Sequence, residues 1–579
     1  MVTVLQLLLA WTLCIGISSG QEVNCTVANV CYNENHCTVR VGVKPWKSEG
    51  LIRIELYGDN AYLTSGYNAM IEQVHGQPNV YVAKLMEYHA EYFGFNTFHS
   101  STVSVDCRAL KQQRKKRNLN TNFDDVEETE NEEVESIETE EEDSYEPMKP
   151  DYFPYTTTRL LGYYRMWNLI GINVSNHNVV IPGKGYSKRP DIIESEKVAE
   201  ALLATSLAIA SIKEPETRKL MINIAKDVLE TWKVLVNISY PGEPQAARCA
   251  RYWSTDCVPL AKFDLDGKPL TTDTSTYADT DAALGMILLY LATKDDGFSW
   301  SEELKQLAIN TTETVLQPEY SIKIVKNKVI GAPVHGARSP GLPCTSPYLI
   351  APAHWRVMTD FLLKYVNADY SKDLLARDGY EILHASQCPE TGLTPTFWEV
   401  DPSNPGWNGT TDSDRCGFPE NADEFGPEAA RGVFRILLDY LWFRDEDKRS
   451  EVYLQRVARQ VTRQLVNAKP LEPGCSVRKT IPTNWMDRAD MLVPLAGALT
   501  NFWANDMSEV ERENARKKQQ LALSIAANKI RTLFDLSEKP LSNFEGLYHV
   551  TNIDAWSLMA SLYLNGELEG IRNLLVQLD

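Results

Sequence analysis

Two patterns of apolar and polar positions divide the chain. Within residues 21–112, short stretches such as 37–43 and 51–57 alternate between apolar and polar residues and are rich in Val, Tyr, Thr and Ile. Alternation with period two predicts half-buried strands. From about residue 150 onward the apolar positions recur at helical spacing instead. The sequence therefore predicts a small β-sandwich at 21–112 and a mainly α domain at 151–579, joined by 113–150.

The helical region contains two kinds of predicted helix. One kind is apolar almost all round, which is typical of a buried helix, whereas the other has a charged face. Buried helices that alternate with surface helices such as 301–316 and 508–535 predict an (α/α)6 toroid, a six-hairpin barrel. The six buried helices are expected to begin near residues 195, 279, 353, 427, 486 and 553.

Three long connectors separate these helices, and they are rich in Gly, Pro and aromatic residues. They cover residues 237–278, 317–352 and 387–426. Loops of this length inside a compact domain are usually functional. We expect them to form the wall of a cleft.

Carboxylates stand at the starts of three of the predicted inner helices. Asp279 and Asp281 precede a run of twelve uncharged residues, and Glu196 and Glu428 open two other apolar helices. One interpretation is an ordinary cap, Asp279, followed by an acid in the first turn, Asp281. The alternative is that Asp281 faces a cleft and contacts a substrate. Parallel inner helices would bring the acids of all three helices to one rim of the barrel.

Five short segments, in chain order, are similar to motifs of one known family: Ser195-Glu196 (S-E-G-Q-G-Y-G-M), Asp279-Thr280-Asp281 (D-A-D or D-G-D), 348–356 (Y-F-A-P-x-x-Y-R), 391–395 (T-G-L-x-P) and 428–440 (D-A-x-R-x-P-x-R…D-Y). Residues 155–579 thereby resemble glycoside hydrolase family 8, the (α/α)6-barrel endoglucanases, chitosanases and xylanases. The chain departs from the family pattern at two places. Lys197, Ala199 and Ala201 replace glycines, and Glu428 stands where the family usually has Asp.

The resemblance implies a secreted inverting endo-glycosidase that acts on β-1,4-linked polysaccharide, with β-glucan or cellulose as the foremost substrate and chitosan or xylan as further candidates. Glycoside hydrolysis needs one protonated carboxyl and one ionised carboxylate. The resemblance assigns Glu196 as the general acid, Asp281 as the residue that holds and distorts the sugar, and Glu428 as the base. Asp423 and Glu424 in the adjoining loop are rival bases.

Two features of the chain argue against a simple assignment. A helix N-terminus favours an ionised carboxyl, while an acid catalyst needs a protonated one. The glycines lost near Glu196 could narrow the sugar pocket. The alternative function is therefore a catalytically inactive carbohydrate-binding relative with the same fold.

Aromatic and polar residues near the inner-helix starts are candidates for substrate contacts. Aromatic rings stack on sugar faces, although ordinary packing explains any single ring equally well. His354 either lines the cleft or is a satisfied buried side chain, and Arg431 is expected to hold Glu428 or the loop. The predicted substrate-binding residues are Asp279, Tyr277, Tyr348, Trp355, Arg431 and Trp398.

Several features predict export and an extracellular location. Residues 1–20 have the apolar run and small residues of a signal peptide. After it come four early cysteines and six late ones, even counts that suit disulfides within each of two domains. No Cys-x-x-Cys pair occurs, so we expect no metal site and no cofactor. Five sequons for N-glycosylation lie at Asn24, Asn173, Asn237, Asn310 and Asn408.

The segment between the two predicted domains is strongly charged. The basic run from Arg114 to Arg117 resembles the sites that furin-like convertases cut, so the β domain is a candidate propeptide. Residues 124–146 contain fourteen acids and no base, which predicts a disordered linker. This run supplies most of the net charge of −20. A basic footprint for nucleic acid is absent from the sequence. The run 62–70 resembles the DOMON family of extracellular β-sandwiches.

Overall fold

The computed structural model describes most of the helical region and the strands of the N-terminal region. The predicted signal peptide, the basic run Arg114 to Arg117, the acidic run and Asn408 lie outside the described residues. The chain divides into two compact units, Met1–Thr139 and Glu140–Asp579. The described residues are the strands between 24 and 106, then 153–183, 190–241, 257–316, 320–325, 328–333, 344–400 (without 369, 371 and 390), 409–411, 416, 422–467, 493, 496–499, 508–537 and 554–578.

Eight antiparallel strands make up the described part of the first unit. They form two four-stranded sheets, in the orders β1-β2-β7-β4 and β5-β6-β3-β8. Val41 of one sheet and Ile54 of the other are fully buried, as expected for two sheets that share a core. Cys31 lies opposite Cys37 in the β1–β2 pair. The strands are Asn24–Asn33 (β1), His36–Lys44 (β2), Leu51–Tyr57 (β3), Tyr62–Tyr67 (β4), Ala69–Gln73 (β5), Val80–Leu85 (β6), Tyr92–Phe98 (β7) and Thr102–Asp106 (β8).

Helices dominate the second unit, as predicted. Its described helices are Thr157–Trp167 (α1), Ser195–Ser211 (α2), Pro215–Ser239 (α3), Thr276–Thr293 (α4), Ser301–Leu316 (α5), Pro352–Val366 (α6), Lys372–Ser386 (α7), Pro427–Phe443 (α8), Arg449–Asn467 (α9), Glu509–Ser537 (α10), Ala555–Leu564 (α11), Glu567–Gly570 (α12) and Arg572–Leu575 (α13).

Apolar helices form the inside of this unit. Nearly every residue of α2, α4, α8 and α11 is buried. These helices carry few charges, so burial against one another removes their apolar surface from water. Helix α2 contacts α4, α4 contacts α6, α6 contacts α8, and α11 packs back on α2. The predicted inner helix that begins near residue 486 lies mostly outside the described residues.

Amphipathic helices cover the inner layer. Helix α3 packs on α2, α5 on α4, α7 on α6, and α9 on α8. Gly285 shows how closely two inner helices approach, because a Cβ atom there would lie 3.1 Å from the α2 backbone. The alternation of buried and surface helices gives the predicted mainly α barrel.

Most predicted inner-helix starts agree with the structure, and one is wrong in an important way. Helix α4 begins at Thr276, with Ser275 at the capping position, rather than at Asp279. Asp279 is therefore not a cap but lies in the first turn, and Asp281 lies in the second turn. The sequence pattern did not reveal the earlier start of the helix, because Tyr277 and Ala278 are as compatible with the helix as the residues that follow.

Short strands and a disulfide position the connectors. Strands Ile193–Glu194 (β11) and Lys262–Phe263 (β12) pair just before α2. Strands Cys344–Thr345 (β15), Trp398–Val400 (β16) and Gly409–Thr410 (β17) form a small sheet. The remaining strands are two hairpins, Leu169–Val174 (β9) with His177–Pro182 (β10), and Tyr320–Val325 (β13) with Lys328–Pro333 (β14).

Disulfides occur in the helical unit, as the even number of late cysteines predicted. Cys344 and Cys416 are bonded across 72 residues, and Cys257 and Cys388 each take part in a disulfide as well. Cys249 and Cys475 lie outside the described residues. Among the sequons, Asn173 and Asn237 are exposed and Asn310 is half-buried.

None of the helices in the described ranges is both long enough and apolar enough to cross a membrane.

A buried polar network ties α6, α7 and α8 together. Arg356 of α6 donates to Asp439 of α8 at 3.0 Å, and the Tyr380 hydroxyl of α7 donates to the same carboxylate at 2.6 Å. Burial raises the pKa of Asp439 to about 6, although Arg356 and Tyr380 act in the opposite direction. A carboxyl with this pKa binds its proton more tightly in the folded state than in the unfolded chain.

Asp439 should therefore stabilise the helical unit less as the pH rises. Its contribution to the free energy of unfolding is fully present below about pH 4 and is lost as the pH rises through about 6. A pKa difference of about two units between the folded and unfolded states corresponds to about 3 kcal/mol. Denaturant unfolding followed by circular dichroism at 222 nm should show this in the difference between wild type and Asp439→Asn. The wild-type advantage should shrink between pH 4 and 6. A difference that grows or stays constant over that range contradicts the prediction.

Candidate active site

The starts of α2 and α8 meet at one place. Arg431 lies one turn after Glu428 in α8, and its Nη1 is 2.7 Å from Oε1 of Glu196 in the first turn of α2. Tyr348 belongs to the one-turn 3-10 helix Pro347–Leu349. Burial raises the pKa of Tyr348, and the nearby charges of Glu196 and Glu428 raise it further. Glu196, Glu428 and Tyr348 therefore form one cluster, which we call the rim cluster.

The rim cluster is partly open to solvent. The side chain of Glu196 is 34% exposed, and Glu428 and Tyr348 are half-buried. Within the described ranges, Glu428 has no ion-pair partner, whereas Glu196 is paired with Arg431. Asp423 and Glu424, the rival bases, are also half-buried and lie just before α8. Two accessible carboxylates in different electrostatic settings are what acid–base catalysis requires.

The backbone holds Tyr348 close to α8. A Cβ atom on Gly432 would lie 2.8 Å from the Cα of Tyr348, so only glycine permits this approach. Arg435 donates from Nη1 to the Tyr348 carbonyl at 2.7 Å. Tyr348 therefore lies next to the part of α8 that carries Glu428 and Arg431.

Asp281 is not part of the open surface, which corrects the expectation that it faces a cleft. Its side chain is fully buried, and Arg435 donates to both of its oxygens, at 3.2 and 2.8 Å. Burial alone would raise the pKa of Asp281, but Arg435 and His354 together outweigh burial and lower it. Burial lowers the pKa of His354, so the neutral ring donates from Nε2 to Asp281 at 3.1 Å. His354 is accordingly a buried side chain paired with Asp281 through Nε2, while its buried Nδ1 has no hydrogen-bond partner in the described part of the chain.

Tyr277 is also more enclosed than expected. Its side chain is almost fully buried, and its hydroxyl donates to Oε1 of Glu200 at 2.9 Å. The Arg435 guanidinium lies 4.1 Å from the ring centroid, and the Tyr348 ring meets it edge-on at 5.7 Å. Tyr277 therefore has no open face for sugar, and its role is to join the rim cluster to the buried charges beneath it.

Glu200 is a charged residue of the site that was not predicted. It is 2% exposed and lies one turn after Glu196. Lys197 contacts it at 3.0 Å and Arg431 at 3.5 Å. Burial would raise the pKa of Glu200, but the charges of Lys197 and Arg431 lower it. The sequence does contain a signal, because Glu200 is an isolated acid within an apolar helix.

The other predicted substrate-binding residues fall into the core. Trp355 is fully buried against α7, where a Cβ on Gly379 would lie 2.7 Å from its ring, so the expected sugar contact is not compatible with its position. Trp398 is 9% exposed in β16. Asp279 is fully buried in the first turn of α4. Arg431 lies at the rim, as expected, but holds Glu196 rather than Glu428.

No group of three or more His, Cys, Asp or Glu side chains in the described part of the chain is arranged to hold a metal ion.

The chain is similar to solved structures of other proteins. A β-1,3-1,4-glucanase from Paenibacillus sp. X4 has 14% identity, with a TM-score of 0.50, over 73% of this chain and 95% of that one. Rex8A from Paenibacillus barcinonensis, solved with xylose, has 12% identity and a TM-score of 0.46 over 72% and 94%. No protein-family model and no curated protein sequence matches this chain. The glucanase similarity supports the (α/α)6 barrel fold.

Replacing Asp281 with Asn should destabilise the helical unit by about 3–5 kcal/mol, because the substitution leaves the buried charge of Arg435 without its counter-ion. Denaturant unfolding at pH 7 measures the loss. Adding Arg435→Met should recover part of it, since the orphaned cation is then removed.

Asp295→Asn is the matched control for this prediction. Asp295 is exposed just beyond the C-terminus of the same helix α4, so the change there should alter the free energy of unfolding by no more than about 0.5 kcal/mol. Equal effects at positions 281 and 295 would contradict a structural role for the Asp281–Arg435 pair.

Proposed function

We propose that this chain is a secreted inverting endo-glycosidase that hydrolyses β-1,4-linked polysaccharide. The observation that carries the proposal is the rim cluster, in which two accessible carboxylates from different inner helices flank Tyr348. The barrel fold is compatible with this chemistry, and the motifs that resemble glycoside hydrolase family 8 include both carboxylates. β-Glucan or cellulose is the foremost substrate, with chitosan and xylan as alternatives.

The proposed reaction uses Glu196 as the acid and Glu428 as the base. Glu196 gives its proton to the glycosidic oxygen as the bond from that oxygen to the anomeric carbon breaks. A water molecule on the opposite face of the sugar forms the new bond to the anomeric carbon and transfers its proton to Glu428. Between turnovers Glu428 releases its proton to solvent and Glu196 takes up a proton from solvent.

The positions of the Glu196 and Glu428 carboxylates on two different helices favour an inverting over a retaining mechanism. Inverting enzymes need space for a water molecule, so their carboxyl groups lie about 6.5–9.5 Å apart, against about 5–5.5 Å in retaining enzymes. Glu196 and Glu428 belong to α2 and α8. Arg431, one turn deeper than Glu428, is the α8 residue that reaches Glu196. Because Arg431 rather than Glu428 makes the contact with Glu196, we expect the wider gap between the carboxylates of Glu196 and Glu428.

Export and processing remain part of the proposal. The predicted signal peptide, the exposed Asn173 and Asn237, and the disulfide Cys344–Cys416 suit an oxidising, extracellular location. A furin-like convertase is the proposed processing partner at Arg114 to Arg117.

One observation favours the alternative of an inactive carbohydrate-binding protein. Lys197 stands where the resembled family has glycine, and its Nζ lies 3.5 Å from Glu196. A cation there occupies space beside the proposed acid. The experiments that follow therefore separate binding from turnover.

The wild-type protein should release new reducing ends from at least one soluble β-1,4-glycan in a panel of glucan, xylan and chitosan. Because water attacks opposite the leaving oxygen, the first product should be the α-anomer, which proton NMR detects before mutarotation. Initial β-anomer would overturn the inverting mechanism. Binding of the glycans without any turnover would favour the binding protein.

Turnover should depend on Glu196 and Glu428 more than on their neighbours. Glu196→Gln and Glu428→Gln keep the side-chain shape but cannot transfer a proton, so kcat should fall by roughly a thousandfold or more while oligosaccharide binding persists. Azide should restore part of the rate of Glu428→Gln by replacing the activated water. Asp423→Asn and Glu424→Gln are the matched controls and should retain most of the rate. A greater loss at either control would reassign the base.

A further inference from the structure

One arginine serves two carboxylates at the base of the rim cluster. Nη1 of Arg431 is 2.7 Å from Oε1 of Glu196 and 3.5 Å from Oε1 of Glu200. The first carboxylate is 34% exposed and the second only 2%. If the guanidinium moved by roughly 1 Å, its shorter contact would therefore be with Glu200 instead of Glu196.

Glu200 is held in the orientation that such an exchange needs. Tyr277 donates to its Oε1 at 2.9 Å, and Lys197 donates to its Oε2 at 3.0 Å. Each oxygen of Glu200 is thus held by a donor other than Arg431. The carboxylate stays ionised, since Lys197 and Arg431 together outweigh the effect of burial and lower its pKa.

Arg431 is guided by aromatic rings on two sides. Its guanidinium carbon lies 5.5 Å from the ring centroid of Tyr277 and 5.5 Å from that of Trp556. Cation–π contacts of this kind have no sharp directional requirement, so they persist during a small displacement along the rings. Arg431 therefore contacts two aromatic rings as well as the two carboxylates.

We propose that Glu200 is a positioning residue that receives Arg431 when Glu196 takes up a proton. Solvent supplies the proton to Glu196, and Arg431 shortens its contact to Glu200, so the cation keeps a partner while the acid is neutral. No other bond forms or breaks in this step. The proposal rests on the proposed acid role of Glu196, and it explains how a carboxyl paired with arginine can act as an acid.

Other ionisable groups face this pair from the surrounding elements. Burial raises the pKa of Tyr164 and of Tyr277, so both remain neutral phenols near Glu200. Asp554 caps α11 and accepts from the backbone N–H of Ser557 at 2.9 Å. The groups near Glu196 and Glu200 are Lys197 of α2, Tyr164 of α1, Tyr277 of α4, Tyr348 of the 3-10 helix, and Glu428 and Arg431 of α8. Asp554 at the start of α11 acts on Tyr164.

Carboxyl labelling tests the proposal without any need for turnover. Carbodiimide with glycine ethyl ester modifies protonated carboxyl groups, and peptide mass spectrometry gives the extent at Glu196 as a function of pH. In Glu200→Gln the labelling midpoint should move to lower pH by about one unit, because Arg431 then pairs with Glu196 without competition from Glu200. Glu200→Asp, which keeps the charge but shortens the reach, should move the midpoint in the same direction.

A double-substitution cycle separates the exchange of Arg431 from simple charge repulsion. In an Arg431→Met background, Glu200→Gln should move the midpoint by less than a third of its effect in wild type. Glu194→Gln is the matched control, since this acid of β11 lies two residues before Glu196 but pairs with Lys262 at 3.1 Å. It should leave the midpoint almost unchanged.

The outcomes distinguish the two proposals. An unchanged midpoint in Glu200→Gln and Glu200→Asp, or an equal shift with and without Arg431, overturns the positioning role of Glu200. Absence of turnover on every glycan overturns the glycosidase instead, and the labelling cycle still decides how Arg431 is shared. With turnover, the alkaline limb of the kcat/KM profile should move to lower pH in Glu200→Gln, in parallel with the labelling.

Discussion

The buried ion pair between Asp281 and Arg435 is the interaction on which the site depends. Two charges at the centre of an apolar barrel are costly unless each satisfies the other, and here both oxygens of the carboxylate accept from one guanidinium. The pair joins α4 to α8, and His354 adds α6. Arg435 also holds the Tyr348 carbonyl. The same cation that neutralises the core therefore fixes the position of the rim cluster.

Charge at this site is organised in two layers. Asp281, Arg435 and His354 form the inner layer, where every group is buried. The outer layer consists of Glu196, which is 34% exposed, together with its partner Arg431 and the buried Glu200. Tyr277 touches both layers through its ring and its hydroxyl. In such an arrangement the inner layer provides rigidity, while the outer layer contains Glu196, the group that changes protonation in the proposed reaction.

Hydrophobic periodicity predicted the fold well because burial of apolar helices is a local property of the sequence. The starts of α2 and α8 and the alternation of inner and outer helices follow from it directly. The start of α4 was misplaced because residues before Asp279 are equally compatible with a helix. Glu196 and Glu428 could be placed on one rim from topology alone. Their partners could not, since Arg431 lies 235 residues from Glu196 and only the folded chain decides which acid it meets.

The aromatic candidates show the same limit. Trp355 and Tyr348 both lie near the start of α6, and composition does not distinguish a ring that packs in the core from one that faces a cleft. Burial separates them, with Trp355 enclosed by α7 and Tyr348 half-buried at the rim. Glu200 was overlooked for a related reason. The role of an acid inside an apolar helix cannot be predicted until the cations that surround it in the folded chain are known.

The central claim is that Glu196 and Glu428 flank a single glycosidic bond with room for one water molecule. A crystal structure of the Glu196→Gln variant with a β-1,4-linked oligosaccharide tests this most directly. The account predicts that the side chain of residue 196 lies within hydrogen-bond distance of a glycosidic oxygen. It also predicts an ordered water between Glu428 and the anomeric carbon on the opposite face of the sugar. An oligosaccharide bound away from the rim cluster, or Glu428 in direct contact with the anomeric carbon, would contradict it.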